Sequence, residues 1–127
     1  MQKRILIVED DNDLRDLLRI VLLEEGFQVD TCPEGKAAMQ ALEAAKKDKK
    51  NLPHMVILDL NMPIVDGWKV ARWLDEDPEL KDIPVIVTSA TKDQGEAAKA
   101  LHADAYLVKP FTTDEILTIV ELFSLLS

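Results

Sequence analysis

The chain alternates short apolar runs with longer amphipathic segments, and this alternation occurs five times. A continuous apolar run such as Ile5-Leu6-Ile7-Val8 is typical of a parallel strand that is buried on both faces. Strands that alternate with helices form α/β folds, and right-handed crossovers leave only a few strand orders. The sequence therefore predicts a doubly wound (βα)5 sandwich of three layers, with a parallel sheet in the order 2-1-3-4-5.

Capping and breaking residues set the expected bounds of these elements. The predicted strands cover 5–8, 27–32, 55–58, 85–87 and 106–108. The first helix is expected to follow an Asn12 N-cap and to end at a left-handed Gly26. Its inward residues are predicted to be Leu14, Leu17, Leu18, Val21 and Leu22. The later helices are predicted to begin at Pro33, after Asp66-Gly67, around 97–101, and at a capping box formed by Thr112 and Glu115.

Size and charge limit the class of protein. With 127 residues and 47% hydrophobic content, we expect one domain over 1–127. A net charge of -9 disfavours direct nucleic-acid binding. No apolar run approaches the roughly 20 residues that span a bilayer, so we expect a cytoplasmic chain without membrane insertion. The lysine-rich segment 46–51 is interpreted as a solvated helix end and loop, with a basic binding patch as the alternative.

Polar residues stand at the ends of four predicted strands. Strand one is followed by Glu9 and Asp10, strand three by Asp59, strand four reaches Ser89, and strand five reaches Lys109. Carboxylates at one edge of a sheet repel unless a cation lies among them. Hard oxygen ligands favour Mg²⁺, Mn²⁺ or Ca²⁺, and Mg²⁺ also accepts phosphate oxygens. Together with a lysine and a hydroxyl group, this set predicts a site that receives phosphate on a carboxylate.

Four sequence runs carry a resemblance to a known family. They are ILIVEDD (5–11), VILDLNMP (56–63), PVIVTSA (84–90) and AYLVKPF (105–111), each at a strand end. Together they resemble the receiver domains of two-component response regulators, over essentially the whole chain. The resemblance implies a flavodoxin-like fold and a phosphoprotein of signal transduction. It also implies a donor, either a histidine kinase or a histidine phosphotransfer protein of a phosphorelay.

The same resemblance implies the chemical roles of the matched residues. Asp59 would be the phosphoacceptor, and Lys109 and Ser89 would contact the phosphoryl group. Mg²⁺, with Mn²⁺ as an alternative, would be held by Glu9, Asp10, Asp59 and the backbone carbonyl of Asn61. The protein would not be an enzyme in the ordinary sense, because it catalyses only Mg²⁺-dependent transfer to itself and slow self-dephosphorylation.

A switch and a lifetime control also follow from the resemblance. Ser89 and Tyr106 would form the switch, which alters the face of the fourth helix, the fifth strand and the last helix. Asn61 and Thr91 would influence the lifetime of the phosphate. The Lys109-Pro110 peptide would be cis, and a homodimer through the last two helices is a further option. The downstream target would be a protein that the sequence does not identify.

Three departures and three alternatives accompany this interpretation. Glu9 stands where Asp is frequent, His102 stands where Gly commonly ends the fourth helix, and the connection before strand three is long and charged. One alternative is an unphosphorylated pseudo-receiver that only binds partners, although it would usually lack the acceptor, the acids or the lysine. A haloacid-dehalogenase-type phosphatase would need an Asp where Asn61 stands. A flavodoxin would need a Ser/Thr/Gly-rich loop where strand one is followed by acids.

Overall fold

The computed structural model describes residues 3–62, 66–91, 98–99 and 103–126. Its strands are β1 (Arg4–Val8), β2 (Gln28–Cys32), β3 (Met55–Asp59), β4 (Val85–Ser89) and β5 (Ala105–Val108). Its helices are α1 (Asn12–Glu24), α2 (Gly35–Ala45), α3 (Gly67–Glu76) and α4 (Thr113–Leu126), with a 3-10 turn at Lys49–Asn51. The predicted helix around Ala97, Ala98 and Leu101 lies mostly outside the described residues, as does His102, although Ala98 and Lys99 are described and are helical.

The five strands form one parallel sheet in the order β2-β1-β3-β4-β5, which confirms the predicted topology. Alternate side chains along each strand point to opposite faces, so each face builds its own core. On one face, Leu6 and Val8 pack with residues of α2 and α3. On the other face, Ile5 and Ile7 pack with residues of α1 and α4. This arrangement is the predicted sandwich of three layers.

Several predicted helix ends are confirmed by the backbone conformation or by capping hydrogen bonds. Gly26 follows α1 with a φ of 94°, the left-handed conformation that favours glycine. The Asp66 carboxylate accepts from Lys69 N at 2.9 Å and caps α3. At the start of α4, Thr112 N donates to Glu115 Oε1 at 3.0 Å, and Glu115 N donates to Thr112 Oγ1 at 3.1 Å. This reciprocal pair is the predicted capping box.

Three details of the helices differ from the prediction. The N-cap of α1 is Asp11 rather than Asn12, because the Asp11 carboxylate accepts from Leu14 N at 3.0 Å. The second helix begins at Gly35 rather than Pro33, after a Glu34 cap that makes no side-chain hydrogen bond. Leu17 is 47% exposed, because α1 turns Leu18 and Leu22 toward the sheet and each neighbouring position lies about 100° around the helix.

The described helices also bear on membrane insertion. None of them combines the length and the apolar character that crossing a bilayer requires. The lone Cys32 is buried at the end of β2, and burial together with the charge of Asp30 raises the pKa of its thiol.

Candidate functional site

The carboxyl ends of four strands bring the predicted polar residues together. The register pairs Val8 with Leu58, Asp59 with Thr88, and Ser89 with Val108. The residues that end or follow these strands therefore lie at the same level of the sheet. Glu9, Asp59 and Ser89 are all buried there, each at most 2% exposed. Burial of this many polar side chains requires partners within the site.

Lys109 supplies the positive charge. Its Nζ lies 2.8 Å from Glu9 Oε1 and 3.3 Å from Asp59 Oδ2. Burial disfavours the charged lysine, but the hydrogen bonds and charges of Glu9 and Asp59 outweigh burial, so the pKa of Lys109 is raised. The ammonium group is therefore charged at neutral pH. It offsets part of the negative charge that two carboxylates bring to this edge.

Among the described carboxyl groups, Glu9 has the pKa that departs furthest from its ordinary value. Burial raises its pKa to about 7, and the negative charge of Asp59 adds to that rise. The hydrogen bond from Lys109, and a second bond in which Asp11 N donates to Glu9 Oε2 at 3.1 Å, partly oppose it. Near neutral pH the Glu9 carboxyl group therefore retains a proton in part of the population, which lessens its repulsion with Asp59.

Three carboxyl groups lie close enough to share one ion. One oxygen from each of Glu9, Asp10 and Asp59 falls within 4.8 Å of the others, and Asp10 is exposed to solvent at the open side. Oxygen donors of this kind suit hard cations such as Mg²⁺, Mn²⁺ or Ca²⁺ rather than soft ones. The open side leaves room for water or phosphate oxygens, as Mg²⁺ requires. This acidic group could hold a divalent metal ion.

Asn61 connects the ends of β3 and β4. Its N–H donates to Asp59 Oδ1 at 3.0 Å, which leaves Asp59 Oδ2 for Lys109. Its side-chain Oδ1 accepts from Ala90 N at 2.9 Å and from Ser89 Oγ at 3.2 Å. Thr91 N in turn donates to Ser89 Oγ at 3.2 Å. The Ser89 hydroxyl is thus held at the site by Asn61 and Thr91.

Tyr106 lies at the border of this network. It is half-buried on β5, packs against the core beside α2 and α3, and donates its hydroxyl proton to the carbonyl of Thr91. The Lys109-Pro110 peptide that follows β5 is cis, as the resemblance implied. Thr91 therefore links Ser89 to Tyr106. Its N–H donates to the Ser89 hydroxyl, and its carbonyl accepts from the Tyr106 hydroxyl.

Two positioning features were missed by the sequence analysis. The guanidinium of Arg15 donates to the Glu9 carbonyl at 3.0 Å and to Asn12 Oδ1 at 2.6 Å, which holds the acidic loop against α1. Gly67 brings the first turn of α3 against the end of β3, since a Cβ placed there would lie 2.0 Å from the Asp59 carbonyl oxygen. The sequence offered one signal for each feature. These signals were the helical spacing of Arg15 and the Asp66-Gly67 pair.

The chain is similar to known proteins in both sequence and structure. The family described as response regulator receiver domain matches residues 5–121. The phosphate regulon transcriptional regulatory protein PhoB of Rhizobium meliloti (strain 1021) is 37% identical over 123 residues, which are 95% of this chain and 52% of PhoB. The chain thus spans about half the length of that relative.

Two solved structures extend the comparison. The chemotaxis protein CheY4 of Vibrio cholerae superposes with a TM-score of 0.83 at 24% identity, covering 97% of this chain and 99% of CheY4, and supports the fold. The structure of the phosphorylated cyanobacterial phytochrome response regulator RcpA has a TM-score of 0.79 at 31% identity. That alignment covers 94% of this chain and 89% of RcpA.

Proposed function

The chain belongs to the response regulator receiver domain family, and from this membership we propose that Asp59 accepts a phosphoryl group from a phosphohistidine donor. Receiver domains are signalling modules rather than classical enzymes, and response regulators are phosphorylated by histidine kinases. The observation that carries the proposal is the contact of 3.3 Å between Lys109 Nζ and Oδ2 of the buried Asp59. A histidine kinase or a histidine phosphotransfer protein would be the donor, and residues 1–127 would form a single receiver domain in the cytoplasm.

The chemistry uses the two oxygens of Asp59 differently. Oδ1 accepts the hydrogen bond from Asn61 N, which fixes the orientation of the carboxylate. Oδ2 is then the oxygen that attacks phosphorus, and as the new P–O bond forms, the P–N bond to the donor histidine breaks. The transition state is loose, so positioning and charge stabilisation provide most of the catalysis. Lys109 would move from the carboxylates to the phosphoryl oxygens, where it stabilises their charge.

Mg²⁺ fits the acidic group described above, and Mn²⁺ is the alternative ion. Glu9, Asp10 and Asp59 would hold it with the backbone carbonyl of Asn61, and Glu9 would act after losing its proton. When bound, the ion neutralises charge on the phosphoryl oxygens. Asp10 is the exposed member of the group, whereas Glu9 and Asp59 are buried. It is therefore the ligand whose removal disturbs the fold least.

Asp10→Asn is expected to weaken Mg²⁺ binding by about tenfold or more, because a contact to a charged group contributes about 1.5–3 kcal/mol. Isothermal titration of the purified chain with MgCl2 measures the affinity. Asp13→Asn is the matched control, because Asp13 lies in the first turn of α1 and outside the acidic group. Equal affinity in the Asp10 variant, the Asp13 variant and the wild type would remove Asp10 from the proposed site.

The output of phosphorylation would be a rearrangement of Ser89 and Tyr106. Ser89 Oγ would leave Asn61 and donate to a phosphoryl oxygen on Asp59. The loop that carries Thr91 would follow, since Thr91 N bonds to the same hydroxyl. Tyr106 would then lose its acceptor on Thr91 and turn into the space left behind. The face made by the predicted helix around 97–101, by β5 and by the last helix, α4, would change shape. A downstream protein would bind this face.

Tyr106→Ala is expected to leave phosphorylation of Asp59 within about twofold of wild type while interrupting transmission to this face. The measurement compares backbone amide spectra before and after phosphorylation. In the wild type, amides of β5 and α4 shift, and in the variant these shifts are lost. Tyr106→Phe is the matched control, because it keeps the ring and removes only the hydroxyl. Loss of phosphorylation itself in Tyr106→Ala would contradict the assignment of Tyr106 as a switch residue.

The lifetime of the phosphate would depend on Asn61 and Thr91. Neither side chain carries an acid or a base, so neither provides strong general-base activation of a water molecule. Slow self-dephosphorylation is the expected behaviour. The chain spans about half the length of PhoB. A homodimer through the last two helices would be a further consequence of family membership.

A further inference from the structure

A cleft of about 560 Å³ lies at the amino edge of the sheet. Its walls are the first residues of β1 and β2, which pair as Arg4 and Gln28, together with the turn at 49–52 and His54. Strands of five residues separate this edge from Asp59, a distance of about 16 Å at roughly 3.3 Å per residue. The cleft is therefore independent of the proposed phosphoacceptor site.

The walls of this cleft are cationic, although the chain as a whole is acidic. The protein has 24 acidic and 15 basic residues, yet Arg4, Lys49 and Lys50 line the cleft and none of its described lining residues is acidic. Asp30 pairs with Arg4 at 2.9 Å from outside the lining, and Asp48 lies 3.6 Å from Lys50. Lys49 has no carboxylate within ion-pair distance in the described part of the chain. Positive charge is thus only partly compensated here.

The neutral polar groups of the cleft are held in place by backbone bonds. Arg4 N donates to His54 Nδ1 at 2.9 Å, and His54 N donates to the Arg4 carbonyl at 2.7 Å. With Nδ1 acting as an acceptor, the proton of a neutral imidazole lies on Nε2, which is then a donor. The Asp48 carboxylate also caps the turn by accepting from Lys50 N at 3.3 Å. The position of the His54 ring is therefore fixed before any ligand arrives.

Arg4 contributes a buried donor that is not satisfied. Its Nε is buried and has no hydrogen-bond partner among the described residues. Buried donors are normally satisfied, because an unpaired one has lost its hydrogen bond to water without gaining another. An acceptor placed at this edge would meet the lysines and the imidazole, and it would reach Nε once the guanidinium turned toward the cleft. Such a ligand must carry several acceptor oxygens and negative charge.

We propose that this amino-edge cleft binds a small phosphate monoester. The volume of the cleft falls in the range of about 300–1,000 Å³ that is usual for small-molecule sites. A phosphate dianion matches Lys49 and Lys50 in charge, and its oxygens accept from His54 Nε2 and Asn51 as well. Residues 49–51 of the lysine-rich segment are then a binding element rather than only a solvated loop.

The test is an NMR titration of the wild-type chain without Mg²⁺, using glucose 6-phosphate and inorganic phosphate as probes. Saturable amide shifts are expected at Arg4, in the turn at 49–52 and at His54. The Lys49→Ala/Lys50→Ala variant is expected to bind glucose 6-phosphate about tenfold more weakly or worse. Lys47→Ala/Lys81→Ala is the matched control, because it removes the same charge at exposed positions outside the cleft.

The outcomes separate the proposal from general charge effects. Binding that is lost in the Lys49/Lys50 variant and kept in the control supports the cleft, and tighter binding of glucose 6-phosphate than of phosphate supports a monoester. Equal weakening in both variants would mean nonspecific attraction and would overturn the proposal. Shifts confined to the Asp59 edge, or no saturable shift at millimolar concentration, would also overturn it. None of these results depends on whether Asp59 is phosphorylated.

Discussion

Gly67→Ala is expected to destabilise the fold by about 3 kcal/mol or more, the upper part of the range for overpacked sites. The added Cβ would lie 2.0 Å from the Asp59 carbonyl oxygen, 2.5 Å from Leu60 Cα and 2.7 Å from the Asp59 carbonyl carbon. All three are backbone atoms, so no side chain can turn aside to relieve the overlap. The whole of α3 would have to move away from the end of β3. Urea denaturation measures the change in the free energy of unfolding.

Gly26→Ala is the matched control for this substitution. Gly26 has a φ of 94°, but a Cβ there would meet no atom within 4 Å. Its expected cost is only about 1–2 kcal/mol, from the left-handed backbone alone. If the two variants unfold at the same urea concentration, the close approach of Gly67 to Asp59 does not exist in solution. If Gly67→Ala is less stable as expected, phosphorylation should also decrease, because the displaced backbone is that of the acceptor.

Lys109→Ala is expected to slow phosphorylation of Asp59 by about 100-fold or more, the usual cost of losing one charged or hydrogen-bonding group that stabilises the transition state. Two effects combine. The phosphoryl oxygens lose their ammonium partner, and Glu9 and Asp59 lose the cation that bridges them at 2.8 Å and 3.3 Å. The pKa of Glu9 should then rise further, because the lysine hydrogen bond that lowers it is gone.

The rate of mass gain with acetyl phosphate at saturating Mg²⁺ measures this effect. Lys81→Ala is the control, since Lys81 is an exposed residue on the loop before β4. Far-ultraviolet circular dichroism and urea denaturation establish that both variants are folded before rates are compared. A Lys109→Ala chain that is folded and phosphorylated at the wild-type rate would contradict the role of Lys109.

The architecture could be predicted because its signals are local. Apolar runs such as 5–8 define buried strands, and the crossover rule turns five such strands into one sheet order. The same rule brings the carboxyl ends of the strands to one edge. The convergence of Glu9, Asp59, Ser89 and Lys109 therefore followed from the sequence before any distance was known.

What could not be predicted depends on contacts between distant segments. The bond that the Ser89 hydroxyl donates to Asn61 Oδ1 spans 28 residues and depends on how two loops meet. Asp11 and Asn12 are both good N-caps, and only the packing of α1 decides between them. Leu17 fits the helical spacing as well as Leu18 does, yet the rotation of α1 about its own axis leaves Leu17 exposed. The cleft at the amino edge likewise requires Arg4 and His54 to be neighbours, which β1 and β3 bring about.

We propose that Asp59 accepts a phosphoryl group in a Mg²⁺-dependent reaction. It is tested most directly by the intact mass of the chain after incubation with acetyl phosphate, with and without Mg²⁺, for the wild type and for Asp59→Asn. A phosphohistidine donor protein is tested in parallel, because some receiver domains are not phosphorylated by small donors such as acetyl phosphate. We expect a gain of one phosphoryl group in the wild type only when Mg²⁺ is present, and no gain in Asp59→Asn. A folded wild-type chain that gains nothing from either donor, or an Asp59→Asn chain that gains as much as wild type, would contradict it.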